Sequence, residues 1–197
     1  MNSIRKRFKI SFNSPVVLGF TIICLISLIL GKLTNDFTTR LLFSVYRSSL
    51  ISPFTYIRFI GHVFGHEGWS HFIGNMTLLL VVGPMLEEKY GSFNIAMVIL
   101  LTAIVTGIVN FIFFPHVRLL GASGVVFAFI LLSSFTSIKE EGEIPMTFML
   151  IAAIYIGGQI YDAIFVNDNV SNLTHILGGA VGSGWGFKMA KNKIGKY

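Results

Sequence analysis

The chain has 197 residues, 53% of them apolar and only 12% charged, with 19 phenylalanines and a net charge of +6. Water-soluble domains carry about 25% charged and 45–50% apolar residues, so this composition excludes an ordinary aqueous globular domain. The basic residues lie at the two chain ends and in short gaps between apolar runs, not in a stripe interleaved with aromatics; this argues against nucleic acid as a partner and for loops beside lipid head groups.

A helix needs about 20 mostly apolar residues to cross the hydrocarbon layer. The first such run is 15–33. It follows the basic Arg5-Lys6-Arg7, as a signal peptide would, but its apolar core is longer than a signal segment and no clean small-x-small cleavage site follows, so it reads as a retained helix. Cys24 lies within it and, as the single cysteine, forms no internal disulfide. Residues 34–68 mix Arg40, Arg47 and Arg58 with Phe37, Leu41, Leu42, Phe43, Phe54 and Phe59, the composition of an interfacial segment. Five further runs follow at about 69–86, 93–114, 119–138, 144–166 and 170–189, separated by short polar turns at 87–91, 115–118, 139–143 and 167–169.

The expected fold is therefore all-α, a polytopic membrane protein of six transmembrane helices with a long membrane-associated first loop, forming one domain over 1–197. With the N-terminus inside, cytoplasmic segments carry ten Lys and Arg residues and the outer ones five, which places both termini in the cytoplasm.

Polar side chains inside such spans are costly and are functional candidates by default. His71 and Asn75 lie in the second run, Ser123 in the fourth and His175 in the sixth, and all three runs start from the outer face. Ser123 is five residues past Arg118 and His175 seven past Asp168, so helical rise puts them about 7–8 Å and 10 Å deep. His71 and Asn75, four and eight residues past Glu67, fall at roughly 6–12 Å. Gly121-Ala122-Ser123-Gly124 sets a serine among residues with almost no side chain, and His175 leads a small-residue stripe through Gly178 and Gly182. A tight crossing of those two helices brings a hydroxyl to an imidazole, the pairing of a nucleophile with its general base. His71 and Asn75 share a helix face, so their donors and the Ser123 backbone N–H are candidates to stabilise an oxyanion.

At these residues the sequence resembles the rhomboid family of intramembrane serine proteases. The resemblance rests on His66-Glu-Gly-Trp-Ser-His71-Phe-Ile-Gly-Asn75, Gly83-Pro84-Met85-Leu86-Glu87, Gly121-Ala-Ser123-Gly124 and Thr174-His175-Ile-Leu-Gly178 with Gly182, which occur in order on alternate spans. It implies a Ser123–His175 dyad without a third acidic member, an oxyanion hole lined by His71 and Asn75, and no cofactor or metal. The first loop would lie partly in the membrane and the fifth helix would gate the entry of single-pass membrane protein substrates, cut near the extracytoplasmic face. A prokaryotic plasma membrane is the expected location. The sequence departs from the family pattern at Phe127, where a tyrosine often stacks on the base, and lacks the Trp-Arg pair common in the first loop, offering only Tyr46-Arg47 or Ile57-Arg58.

Two other readings compete. A metalloprotease is one: His62, His66 and His71 crowd one region and His66-Glu67 invites comparison with the zinc motif H-E-x-x-H, but His71 is five residues from His66, about 140° away around a helix. A transporter, or a non-enzymatic relative that escorts membrane clients, would also use paired intramembrane His and Asn; the spans show no inverted repeat and no acidic relay beyond Asp162.

Overall fold

Pro15 opens the first helix, α1 (Pro15–Leu33), where the missing proline N–H has no helical acceptor to lose. The computed structural model describes residues 12–134, 146, 149–150, 153–154, 157–158, 161 and 172–194. After α1 come α2 (Phe37–Leu42), α3 (Pro53–Gly61), a 3-10 turn (His62–Phe64), α4 (Trp69–Tyr90), α5 (Ser92–Phe113), α6 (Ser123–Ser134) and α7 (Asn172–Ile194). The expected helix over 144–166 lies largely outside the described residues, as do the turns at 139–143 and 167–169.

Among the described residues, α1, α4 and α5 are long and apolar enough to cross a membrane, and α6 is apolar but shorter. In α1, Val17, Phe20, Cys24 and Leu28 form a buried stripe, while Ile22, Ile23, Ile26, Ile29, Leu30 and Leu33 are exposed. A helix that buries one apolar face and presents another has lipid as its solvent. The first loop follows the same rule. Arg58 is buried and donates to Ser48 Oγ at 2.6 Å, Thr55 Oγ1 at 3.1 Å and Tyr46 Oη at 3.3 Å, with its guanidinium 4.5 Å from the Tyr46 ring. Leu50, Ile51, Phe54, Tyr56 and Ile57 face outward. At Arg58 charge lies inside and hydrocarbon outside, the inverse of a loop in water, with an aromatic partner in Tyr46, twelve residues upstream, while Arg40 and Arg47 are exposed.

Three helix boundaries differ from the sequence expectation. The run expected to end near residue 86 continues as helix to Tyr90, through Pro84, and stops at Gly91, whose φ of +83° suits glycine. The reason is Glu87: its buried carboxylate accepts the Val16 and Val17 N–H groups at 3.0 Å each and the Ser92 hydroxyl at 2.7 Å. It satisfies the first turn of α1, which no side chain at Ser14 caps, and places negative charge at the positive end of that helix. At the other end of the chain, α7 runs to Ile194, past the expected end at 189.

The third correction concerns the run expected over 119–138. Residues 119–122 are not helical. Leu119 and Val45 exchange both backbone hydrogen bonds at 2.9 Å in an isolated antiparallel bridge, and Gly121 has φ +132°, outside the helical region. Helix α6 therefore starts at Ser123, and its expected continuation over 135–138 lies outside the described residues. Within α6, Val125, Val126, Phe127, Ala128, Phe129, Leu131 and Leu132 are all buried, because α4, α5 and α7 pack around it.

Candidate active site

Ser123 is the first residue of α6, delivered there by the extended segment 117–122. Counting depth from Arg118 by helical rise therefore does not apply, because residues 119–122 are not helical. The meeting of side chains does not depend on that count. Ser123 Oγ lies 2.6 Å from His175 Nε2, within hydrogen-bond distance across 52 positions of sequence.

The two helices can approach this closely because their contact carries almost no side chain. A Cβ built on Gly178 would sit 2.6 Å from the Gly124 carbonyl oxygen and 3.0 Å from its Cα, and one on Gly182 would strike the Ala128 backbone. One on Gly179 would strike the Phe127 ring, so that ring lies against α7 one turn beyond His175. The stripe that sequence suggested as a packing face thus continues into a slot holding residue 127.

On the other side of Ser123 stands α4. A Cβ on Gly121 would lie 2.9 Å from His71 Nε2 and 3.8 Å from Ser123 Oγ, so the space left by the missing side chain separates those two groups. Asn75 is one turn further along α4; its side chain is buried at 8% exposure and its amide nitrogen has no hydrogen-bond partner among the described residues. An unpaired buried donor is rare and calls for an explanation. Because Ser123 begins α6, the helix's first N–H groups and the positive end of its dipole also lie at this point. Ser123, His175, Gly121, Gly124 and His71 thus share one site, while Asn75 shares the face of His71 and bonds to neither Ser123 nor His175 in any hydrogen bond described.

Further side chains line the back of the site, Thr106 and Asn110 among them without having been singled out in the sequence. A cavity of about 10 Å³, close to the volume one water centre needs, is walled by His62, Thr106, Gly121, Ser123, Gly124 and His175 among others. His62 Nε2–H donates to the Ala103 carbonyl at 3.0 Å, and the His62 carbonyl accepts the Gly121 N–H at 2.9 Å. Burial pushes the His62 ring down to about 4, against the smaller upward pull of the Ala103 bond. His66, whose ring meets His71 edge-on at 5.1 Å, is likewise lowered to about 4 by burial and by the neighbouring His71 charge, opposed by its Nδ1–H bond to the Phe64 carbonyl. Asn110 Nδ2 donates to the Val117 carbonyl at 3.1 Å and the Val45 carbonyl at 3.3 Å, bracing the segment before Ser123. The signal was present: Thr102, Thr106 and Asn110 are a polar i, i+4, i+8 stripe in an apolar helix, all buried.

A family model for the rhomboid domain matches residues 53–192. Rhomboid-related protein 1 of Caenorhabditis elegans is 28% identical over 145 residues, covering 70% of this chain and 41% of that protein. Rhomboid-related protein 2 of Mus musculus is 30% identical over 157 residues, covering 70% and 52%. Rhomboid protease GlpG of Haemophilus influenzae is 28% identical over 148 residues, covering 70% and 73%. The chain thus spans about half or less of the first two relatives' length. With the matched region running from the first loop through the helix that carries His175, this chain belongs to the rhomboid family.

Proposed function

We propose that the chain is a serine-type intramembrane endopeptidase that cuts single-pass membrane proteins near the extracytoplasmic face. The observation that carries the reading is the 2.6 Å contact between Ser123 Oγ and His175 Nε2, at the start of a helix enclosed by the others. Ser123 Oγ attacks the scissile carbonyl carbon while His175 Nε2 takes its proton. The oxyanion is met by the Ser123 backbone N–H, His71 and the otherwise unpartnered Asn75 amide. His175 then gives the proton to the leaving amine as the C–N bond breaks, leaving an acyl-serine. Water attacks the acyl carbon, His175 takes its proton and returns it to Ser123 Oγ as the carboxylate product departs. In this reading the packing of α7 on Gly124 and Phe127 orients the base.

The same proposal assigns one domain over 1–197 and six spans, with both termini cytoplasmic, in a prokaryotic plasma membrane. The segment 144–166, outside the described residues for the most part, supplies the fifth span and the lateral gate for substrate. Co-expression with tagged single-pass reporters tests it. Wild type releases a cleaved fragment and Ser123→Ala, at equal membrane abundance, releases none. Cleavage that persists in Ser123→Ala would refute the assignment.

A further inference from the structure

Asp36 occupies the position that caps α2, yet its carboxylate makes no bond to the first turn of that helix. Aspartate at such a position normally accepts a backbone N–H from its own helix. Here it accepts from Arg40 Nε at 3.1 Å and from Arg118 Nη1 at 2.6 Å. The backbone that aims it is unusual: Asn35 and Asp36 are consecutive non-glycine residues with φ +49° and +68°. Such a left-handed pair is costly and persists where the surroundings over-determine it. The turn is fixed by the Asp36 N–H bonding the Gly31 carbonyl at 2.8 Å and by Thr39 lying against Gly31.

Arg118 stands at the start of the extended segment that ends at Ser123. The rest of that segment is tied by backbone and neutral bonds: Leu119 to Val45, Gly121 to His62, and Val117 to Asn110. Among the described residues, Asp36–Arg118 is the one ion pair joining separate segments of the chain; the other, Asp36–Arg40, is local to α2. The pair lies in the wall of a cavity of about 400 Å³ that Lys32, Asn35, His66 and Glu67 also line. Both side chains are about one-third exposed, at 39% and 32%. Burial raises the Asp36 carboxyl, but the bonds and charges of Arg118 and Arg40 outweigh it, and it stays below the ordinary carboxylate range.

We infer that Asp36 and Arg118 form a positioning latch that holds the segment 118–122 in register, so that the Ser123 hydroxyl and the α6 N-terminus keep their alignment with His175 and His71. The inference rests on the proposed protease reading. The latch touches no reacting atom; it acts through the backbone of the segment. A small displacement of a nucleophile lowers turnover more than binding, so the effect falls on kcat and leaves KM nearly unchanged.

The test uses the full chain in phospholipid vesicles with a single-pass reporter, and rates per active site titrated by a fluorophosphonate. Asp36→Asn, which keeps a residue tolerant of this turn, and Arg118→Gln each lower kcat about fivefold, the upper range for a partly exposed ion pair. The double variant is no slower than either single one, and Arg118→Lys recovers part of the loss. Raising the salt concentration slows wild type toward the variants' rate and leaves Asp36→Asn unchanged. Wild-type kcat in both single variants, or additive losses in the double variant, would overturn the latch while leaving the dyad intact. Turnover that persists in Ser123→Ala would overturn the protease reading itself.

Discussion

Replacing Gly178 by alanine introduces a methyl group 2.6 Å from the Gly124 carbonyl oxygen and 3.0 Å from Gly124 Cα, both backbone atoms that no rotamer change can move. Ordinary contact begins at about 3.4 Å, so α6 and α7 must part by roughly 0.8 Å at this point. Gly178 is three residues from His175 and Gly124 is next to Ser123, so the separation falls almost wholly on the 2.6 Å hydroxyl–imidazole contact. Stretching it by that amount takes the pair beyond good hydrogen-bond geometry, and a 1 Å misplacement of reacting groups costs up to about a hundredfold in rate. Overpacking itself costs about 1–3 kcal/mol of stability. Gly184, on the same helix, is the matched control, since a Cβ added there would meet nothing within 4 Å. The assay is cleavage of a single-pass reporter by each variant, with thermal unfolding in detergent alongside. Gly178→Ala falls at least tenfold in kcat and Gly184→Ala keeps the wild-type rate. Equal rates for all three proteins, or equal losses in both variants, would refute the claim that this helix contact sets the geometry.

Asn75→Ala removes an amide donor that has no partner among the described residues, so the unfolding temperature changes little while kcat falls about 10²–10³-fold, the cost of one oxyanion donor; a large stability loss with an unchanged rate would make Asn75 structural. Glu87→Gln weakens charge-assisted bonds to the Val16 and Val17 N–H groups and to Ser92, and lowers stability by about 2 kcal/mol in a denaturation series, unless that carboxylate is not what caps α1. Stability also depends on pH through His62 and His66. Unfolded histidine protonates near 6.5, whereas burial holds these rings at about 4, so between those values the unfolded chain binds more protons and stability falls as pH is lowered. Keeping one ring neutral across that window represents on the order of 3 kcal/mol. The contribution is fully present above about 6.5, and an unfolding midpoint that stays flat from pH 7 to 4.5 would contradict it.

The limits of α1 were legible because proline opens it, an apolar run fills it and both signals are local. The end of α4 was not: Glu87-Glu88-Lys89 has the composition of a turn, and only the distant α1 N-terminus explains why Glu87 is buried in a helix. The start of α6 was hidden for a similar reason. Leu119 to Ala122 continue an apolar run, and what keeps them extended is a bridge to Val45 and the conformation of Gly121, neither visible from periodicity. At the site, glycine spacing told which faces of α6 and α7 come together, because the absence of a side chain is itself written in sequence. The slot that Gly179 leaves for Phe127, the bracing of Val117 by Asn110 and the pairing of Asp36 with Arg118 across 82 positions depend on where the chain returns.

If Ser123 is a nucleophile activated by His175, its hydroxyl reacts with a fluorophosphonate, and mass spectrometry of the treated chain in membranes measures this directly. The expected result is a single adduct on Ser123 in wild type, strongly reduced in His175→Ala and absent in Ser123→Ala. Labelling of another residue, or undiminished labelling of Ser123 without His175, would contradict it.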